Sequence, residues 1–164
     1  MKNIVLIGMP GCGKSTVGRY LAKALGVDFV DCDSVIEQTE GTEISKIFNE
    51  HGEEYFRKLE TQALKKLSAA KNSVIATGGG CVERRENFEI LKDCGTVIFI
   101  NRPLEDILGD IDTSKRPLLA DGKNRLYRLY ERRLPLYLEA CDIEIKNILP
   151  PQKLAEKIID EVKL

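Results

Sequence analysis

The chain has 164 residues, of which 43% are hydrophobic and 31% charged, and its formal net charge is −1. These values are typical of one globular domain spanning residues 1–164 and exclude a long disordered tract. The small net charge argues against a broad basic surface for nucleic acid or anionic membrane, and the sequence contains neither a targeting segment nor an apolar run of membrane-spanning length. We therefore expect a cytoplasmic protein without nucleic-acid or membrane partners.

Short apolar runs of strand length alternate with helical patterns along the chain. The predicted strands are 3–7, 27–31, 73–77, 96–100 and 142–146. The predicted helices are 34–40, 44–50, 53–70, 84–93, 103–109, 123–140 and 151–162. Because the strands are continuous apolar runs separated by helices, the pattern predicts an α/β fold with a parallel sheet covered on both faces. Ligands of such sheets bind at the carboxyl ends of the strands.

The first predicted strand leads into a glycine-rich segment and then into a helix. Residues 8–15 have the sequence GMPGCGKS and match the phosphate-binding pattern G-x-x-x-x-G-K-[ST]. Its glycines let backbone amides surround phosphate oxygens, while Lys14 would bind the β- and γ-phosphates and Ser15 would ligate Mg²⁺. The alternative is a glycine turn that only connects strand and helix. The predicted nucleotide site comprises Gly11, Cys12, Gly13, Lys14, Ser15 and Thr16.

The chain has five cysteines and a single histidine, His51, with no CxxC pair or other metal-ligand spacing. This pattern predicts reduced thiols and argues against a structural zinc site. Cys12 lies just before a predicted helix N-terminus, a position that lowers the pKa of a thiol. We therefore expect alkylation of Cys12 to inactivate the protein and ATP to slow that reaction.

Two aspartates follow the second predicted strand, in the sequence FVDCD at 29–33. A strand that continued through both would place Asp31 and Asp33 on one face, where their charges repel. The third predicted strand ends in TGGG and carries no carboxylate, so an acid that helps to hold Mg²⁺ must come from elsewhere. We assign Asp31 to the hydrated ion, which leaves Asp33 for another task.

Two arginines and a run of glycines complete the candidate site. Arg57 precedes Glu60 by three helical positions, and an ordinary surface ion pair is the alternative to a functional role. Arg133 lies on a predicted apolar stripe of its helix, so either an internal acid or an anionic ligand must neutralise it. Glycines after the third strand permit a ligand to approach bare backbone, although a simple turn would also use them. These glycines are Gly78, Gly79 and Gly80.

Taken together, these elements resemble the shikimate kinase family, whose members use ATP to phosphorylate the 3-hydroxyl of shikimate in aromatic biosynthesis. The matching segments are GMPGCGKST, FVDCD, FRKLE (56–60), TGGG (77–80), RPLL (116–119) and RRLPLY (132–137). The resemblance covers essentially the whole chain. It implies a three-layer P-loop kinase fold, with a five-stranded parallel sheet in the order 2-3-1-4-5 and a mobile lid.

The family pattern also implies which residues contact the substrate. It assigns Asp33 to the hydroxyl of shikimate, and Arg57 and Arg133 to its carboxylate. A helical segment at about 34–60 would bind the substrate. Backbone contacts would come from Gly78, Gly79 and Gly80.

The resemblance further implies a lid at about 109–123, with Arg116 on the transferring phosphate. The expected catalytic residues are Lys14, Asp33 and Arg116, and the expected cofactors are ATP and Mg²⁺. Family members often carry an arginine near the start of this lid that stacks on adenine, whereas this chain has Gly109-Asp110 there. We therefore expect weaker or less base-selective nucleotide binding than is usual in the family.

Two alternatives compete with this assignment. A kinase of another small hydroxy acid, similar to gluconate kinase, also pairs a phosphate loop with an acid after the second strand, but the expected His-Pro element is missing. A P-loop nucleotide switch or binding module would leave Asp33, Arg57 and Arg133 unexplained. The expected partner is thus shikimate as a small-molecule substrate, and the sequence suggests no large apolar patch, which favours a monomer.

Overall fold

Five strands form one parallel sheet in this computed structural model, which describes residues 2–110 and 120–162, apart from the side chains of residues 120 and 121. The strands are β1 Asn3–Ile7, β2 Asp28–Asp31, β3 Ser73–Ala76, β4 Gly95–Asn101 and β5 Ile143–Lys146. Their order is β2-β3-β1-β4-β5, and each neighbouring pair is parallel. The predicted fold class and strand order are confirmed.

Helices connect the strands and flank the sheet. They are α1 Lys14–Leu25, α2 Cys32–Glu40, α3 Ile44–Ser68, α4 Glu86–Cys94, α5 Leu104–Gly109, α6 Ala120–Ala140 and α7 Pro151–Val162, with a short 3-10 turn at Cys81–Glu83. The predicted helices at 44–50 and 53–70 are two parts of α3, which is broken at Gly52 by a non-helical backbone with φ 82° and ψ 175°. Glycine accepts this positive φ, which strains other residues.

The core lies on both faces of the central strands. Every residue of β1 and β3 is buried, as expected for strands covered by helices on each side. A smaller apolar cluster joins α2 to α3 and consists of Ile36, Ile47, Phe56 and Ala63. This second cluster packs α2 against α3. It thereby sets the distance between Asp33 on α2 and the charged residues Arg57 and Glu60 on α3.

The carboxyl ends of the strands meet at one edge of the sheet. Ala76 near the end of β3 pairs with Leu6 of β1 and with Asp31 of β2, and Ile7 pairs with Phe99 of β4. The segments that follow β1, β2, β3 and β4 therefore lie side by side. Among the described residues, no helix combines the length and the apolar character that crossing a membrane requires.

Candidate active site

The segment after β1 forms the phosphate loop that the sequence predicts. Gly8 and Gly13 have φ values of 149° and 99°, and a Cβ on Gly8 would lie 2.6 Å from the carbonyl oxygen of Ile100. The Lys14 ammonium is buried and donates hydrogen bonds to the carbonyls of Gly8 at 2.8 Å and Met9 at 3.0 Å. These bonds hold the cation folded against the loop, beside the N-terminus of α1, where an anion is favoured.

Asp31 ends β2 and begins α2. Its Oδ1 accepts hydrogen bonds from the backbone N–H groups of Asp33 at 3.0 Å and Ser34 at 3.4 Å, so Asp31 is the N-cap of α2. Its Oδ2 accepts a hydrogen bond of 2.8 Å from the hydroxyl of Ser15. The strand therefore stops at Asp31, and Asp33 belongs to the first helical turn rather than to an extended chain.

The pair formed by Ser15 and Asp31 suits Mg²⁺. Magnesium is commonly held by one or two protein oxygens, with phosphate oxygens and water completing its octahedral shell. The described residues contain no group of three or more His, Cys, Asp or Glu side chains able to hold a metal. A hydroxyl and a carboxylate already in contact beside the phosphate loop match the smaller requirement of a nucleotide-bound Mg²⁺.

Asp33 projects into the cleft between the phosphate loop and the glycine segment after β3. Its Oδ1 is buried without a hydrogen-bond partner among the described residues. A Cβ on Gly78 would lie 3.0 Å from this oxygen, so only glycine allows the backbone to come so close. Burial and the neighbouring Asp31 carboxylate raise the pKa of Asp33, while Lys14 and Arg57 act in the opposite direction. An acceptor with an unused oxygen can bind a substrate hydroxyl.

Arg57 lies on α3 and is buried. Its Nη1 donates to Oε1 of Glu60 at 3.0 Å, and its Nη2 donates to Glu53 at 3.2 Å. The Nε group is buried and has no partner among the described residues. A side chain on Gly80 would collide with the guanidinium, which therefore packs directly on the glycine backbone. The simple surface ion pair that the sequence left open does not describe this buried residue.

Glu60 is the internal counter-ion of the site, with 1% of its surface exposed. Its Oε2 is buried without a hydrogen-bond partner among the described residues, and a Cβ on Gly78 would lie 2.5 Å from it. Burial raises the pKa of Glu60, whereas Arg57 lowers it through charge and hydrogen bonding. Its charge also interacts with Asp33 and Arg133. Glu60 therefore contacts Arg57 directly, and its pKa also responds to the charges of Asp33 and Arg133.

Arg133 lies on α6 with 5% of its surface exposed. Its Nε donates to Oε1 of Glu83 at 2.7 Å, and Nη2 of Arg132 donates to the same oxygen at 2.7 Å. Burial of Glu83 favours its neutral form, but the hydrogen bonds and charges of the two arginines outweigh this and lower the pKa of Glu83. An acid within the protein therefore neutralises Arg133, and this acid lies three residues after Gly80, at the end of the 3-10 turn.

The main cleft at the sheet edge has a volume of about 530 Å³. It brings together the predicted nucleotide residues other than the buried Cys12 with the candidate base, and its lining includes Lys14, Ser15, Asp31, Asp33, Gly78 and Gly79. A neighbouring cavity of about 330 Å³ is lined by Arg57, Arg84 and the carboxylates of Glu53, Glu54 and Glu83. Arg116 and most of the predicted lid lie outside the described residues.

Comparison with known proteins agrees with this geometry. The family model described as "Shikimate kinase" matches residues 10–163. The chain belongs to the shikimate kinase family. The shikimate kinase of Clostridium beijerinckii is 46% identical over 99% of this chain and 94% of its own length. That of Thermodesulfovibrio yellowstonii is 47% identical over 98% of this chain and 95% of its own length.

Solved structures of shikimate kinases have the same fold. The Acinetobacter baumannii enzyme, in complex with shikimate, has a TM-score of 0.93 at 38% identity and covers 99% of this chain and 93% of its own. A sugar kinase from Janibacter, unliganded, has a TM-score of only 0.59 at 18% identity, covering 99% of this chain and 95% of its own. This second likeness shows a shared fold alone.

The expectation of a reactive Cys12 is corrected by the structure. Cys12 has 0% of its surface exposed, and its sulfur is packed against the phosphate loop, 3.7 Å from the Lys14 ammonium. Cys32 and Cys81 are also buried, and burial raises the pKa of Cys81 to about 12. Burial shields these three thiols from solvent in the folded protein. Cys141 is the partly exposed cysteine.

Sequence reasoning missed several residues that shape the site. Glu83 and Arg132 surround Arg133, and Tyr137, one turn further along α6, donates a hydrogen bond to the carbonyl of Gly79. Asn147 after β5 donates to the carbonyl of Cys12 at 2.8 Å and so supports the phosphate loop from outside. The inward spacing of Arg133 and Tyr137 along one helix was the available signal, whereas nothing local to the sequence indicated Asn147.

Proposed function

We propose that this chain transfers the γ-phosphate of ATP to the 3-hydroxyl of shikimate in the biosynthesis of chorismate and aromatic amino acids. Membership of the shikimate kinase family supports this activity. The structural match to a shikimate kinase in complex with shikimate supports the choice of substrate. The chain is thus a phosphotransferase with an alcohol group as acceptor.

The observation that carries the proposal is the position of Asp33. Its carboxylate shares the main cleft with Lys14 of the phosphate loop, while Arg57 lines the neighbouring cavity. Against the effect of burial, which raises the pKa of Asp33, the charges of Lys14 and Arg57 both lower it. One acceptor with a free oxygen is therefore placed between a cation for polyphosphate and a cation for an organic acid. A hydroxyl bound to Asp33 would face the phosphate that it attacks.

Catalysis of this reaction depends on positioning the hydroxyl and the phosphate and on electrostatic stabilisation, and not on a covalent intermediate with the protein. Phosphoryl transfer passes through a loose transition state in which charge spreads over the equatorial phosphate oxygens. Asp33 orients the hydroxyl and accepts its proton as the new O–P bond forms. Lys14 neutralises charge on the β- and γ-phosphates once ATP replaces the loop carbonyls as its partners.

Arg57 and Arg133 bind the substrate carboxylate in this proposal. Guanidinium groups suit carboxylates because their planar N–H donors match two oxygens at once. Glu60 and Glu83 hold the two arginines in fixed directions before substrate arrives. Gly78 and Gly79 line the main cleft, where their backbone is available to the ring hydroxyls. The bare backbone of Gly80 lets the Arg57 guanidinium pack against it.

Mg²⁺ would be held by Ser15 and Asp31, the hydroxyl and carboxylate that already touch. Bound there with ATP, the ion neutralises phosphate charge during transfer. We also propose that Arg116 binds the phosphate that is transferred, because the family pattern implies this role. We further propose that the protein acts as a monomer in the cytoplasm.

A coupled assay of ADP release tests the function. Purified protein is supplied with ATP and Mg²⁺ and with shikimate, quinate or gluconate in parallel. We expect shikimate to give the highest kcat/KM and the product to be shikimate 3-phosphate by mass spectrometry. Turnover that is indifferent to all three acids would indicate a nucleotide switch, and preference for gluconate would indicate the rival kinase.

A further inference from the structure

Arg102 is a cation of the nucleotide cleft to which the sequence pattern gives no role. It follows the last residue of β4, Asn101, at the carboxyl edge of the sheet. Pro103 disfavours a helical backbone at the residue before it, so α5 begins only at Leu104 and Arg102 stays at the strand end. This position places the guanidinium beside the phosphate loop of the neighbouring strand β1.

The contacts of Arg102 connect the phosphate loop to the end of α5. Its Nη1 donates to the carbonyl of Gly11 at 3.0 Å and pairs with Oδ2 of Asp110 at 2.6 Å. Within the described part of the chain, both contacts are made through Nη1. An arginine has five N–H donors, so Nε and Nη2, for which the described residues supply no acceptor, can bind a further one.

Arg102 also stands where two cavities join. The main cleft of about 530 Å³ contains Lys14 and Asp33, and a second groove of about 360 Å³ runs past Asn147. The residues that line both cavities are Gly13, Thr16, Arg102 and Asp110. Arg102 is the one cation among these four shared residues. An anion that passes from one cavity to the other therefore passes its guanidinium.

The second groove suits the base of a nucleotide. Ile148 is 70% exposed and Leu149 is 41% exposed, and both line the groove next to the phosphate loop. Exposed apolar side chains beside a phosphate site favour a flat aromatic ring. With phosphates on the loop and the base in this groove, the phosphate nearest the ribose lies at the junction between the cavities.

The ion pair with Asp110 is easily exchanged. The Asp110 side chain is 67% exposed, and exposed ion pairs contribute little to stability. A phosphate can accept two parallel N–H bonds from a guanidinium and carries more charge than one carboxylate. A phosphate at the junction would therefore displace Asp110, while the bond to the Gly11 carbonyl keeps Arg102 in place.

We propose that Arg102 binds the phosphate chain of the nucleotide where the two cavities meet, and that Asp110 occupies it only while no nucleotide is bound. This inference rests on the proposed function, since it assumes that the loop binds a nucleoside polyphosphate. It adds a binding residue in a chain that has Gly109 at the position where family members often carry a cation for adenine.

The test compares ADP with adenosine, which has the base and no phosphate. Calorimetry measures ADP binding, and NMR titration measures the weaker binding of adenosine, for wild type, R102Q, R102K and D110N. R102Q is expected to weaken ADP binding about tenfold or more, as is typical of a lost hydrogen bond to a charged group. Adenosine binding should change little. R102K should keep part of the affinity, because it keeps the charge and loses the planar fork.

D110N should change ADP affinity in the opposite direction to R102Q. Removing the competing carboxylate should tighten ADP binding, and this gain cannot arise from a misfolded protein. R85Q is the matched control, because Arg85 is also ion-paired, with Glu139, and it lines neither cavity. Unchanged ADP affinity in R102Q, equal loss of ADP and adenosine, or weaker ADP binding in D110N would each overturn the inference. Shikimate phosphorylation by the wild type is scored separately, so a failure of the proposed function is recognised independently.

Discussion

The carboxylate of Asp31 accepts a hydrogen bond of 3.0 Å from the backbone N–H of Asp33. This contact separates two aspartates that a continuous strand would place side by side. Asp31 uses its oxygens on the helix N-terminus and on Ser15, whereas Asp33 has an oxygen free of described partners. The two carboxylates therefore have different tasks, which substitutions can distinguish.

Two variants of Asp31 separate its capping role from metal binding. D31A removes the cap of α2 and should lower the free energy of unfolding by about 0.5–2 kcal/mol. D31N keeps a good capping residue and should have nearly wild-type stability, because Asn and Asp cap equally well. Both variants should need more Mg²⁺ for half-maximal activity. Denaturant unfolding and Mg²⁺ titration of kcat check this, and an unchanged Mg²⁺ requirement in D31N would remove Asp31 from the metal site.

Asp33 should control turnover rather than nucleotide binding. D33N keeps the shape of the side chain but cannot accept the hydroxyl proton, so kcat should fall about a hundredfold or more. ADP affinity, measured by calorimetry, should change little because the phosphate loop is intact. Turnover near the wild-type rate would contradict the assignment of Asp33 as the catalytic base.

The raised pKa of Asp33 also predicts a pH dependence of stability. Burial, with Asp31 beside it, makes the folded state bind the Asp33 proton more tightly than the unfolded state does. The stability gained from protonation is full below the unfolded pKa and is lost as the pH rises through the raised folded pKa. D33N should therefore be more stable than wild type at pH 7, with the difference shrinking in acid. Denaturant unfolding at several pH values measures this, and a D33N variant less stable than wild type at pH 7 would argue against it.

Two adjacent arginines provide a matched pair for the carboxylate site. Arg132 and Arg133 donate to the same oxygen of Glu83, but the Arg132 side chain is 58% exposed and that of Arg133 is 7% exposed. R133A should weaken shikimate binding by about 2–5 kcal/mol, because it removes a desolvated charge. R132A should cost about 1 kcal/mol or less. Shikimate KM and calorimetry give both values, and similar effects of the two substitutions would refute the carboxylate role of Arg133.

Thiol labelling should follow burial rather than proximity to the phosphate loop. Cys141 is partly exposed, whereas Cys12, Cys32, Cys81 and Cys94 are buried. Iodoacetamide should therefore modify Cys141 first in the folded protein, without loss of activity, and C141S should remove the fast-labelled site. Peptide mass spectrometry over time identifies the order. Rapid labelling of Cys12 with inactivation would restore the expectation drawn from the sequence.

Most of the fold could be predicted because its signals are local. Apolar runs such as NIVLI gave strand positions to within one or two residues, and the phosphate loop has a fixed sequence with a fixed backbone. The start of α2 was predicted two residues late, at 34 instead of Cys32, because the cap depends on the side chain of Asp31 turning toward its own helix. The pattern of apolar residues alone carries no such signal.

The sequence by itself determined the fold class, the phosphate loop and the set of charged residues, because these depend on spacing along the chain and on residue chemistry. Spacing along the helix indicated the pair of Arg57 and Glu60, but tertiary structure alone decided the charge partners that are distant in sequence. Glu83 neutralises Arg133 from 50 residues away, and Glu60 faces Asp33 because α2 packs on α3 through a separate apolar cluster. Arg102, which follows β4, donates a hydrogen bond to the carbonyl of Gly11, which follows the neighbouring strand β1. Such pairs form because distant segments pack together. The spacing of residues along the chain does not indicate which distant side chains this packing brings into contact.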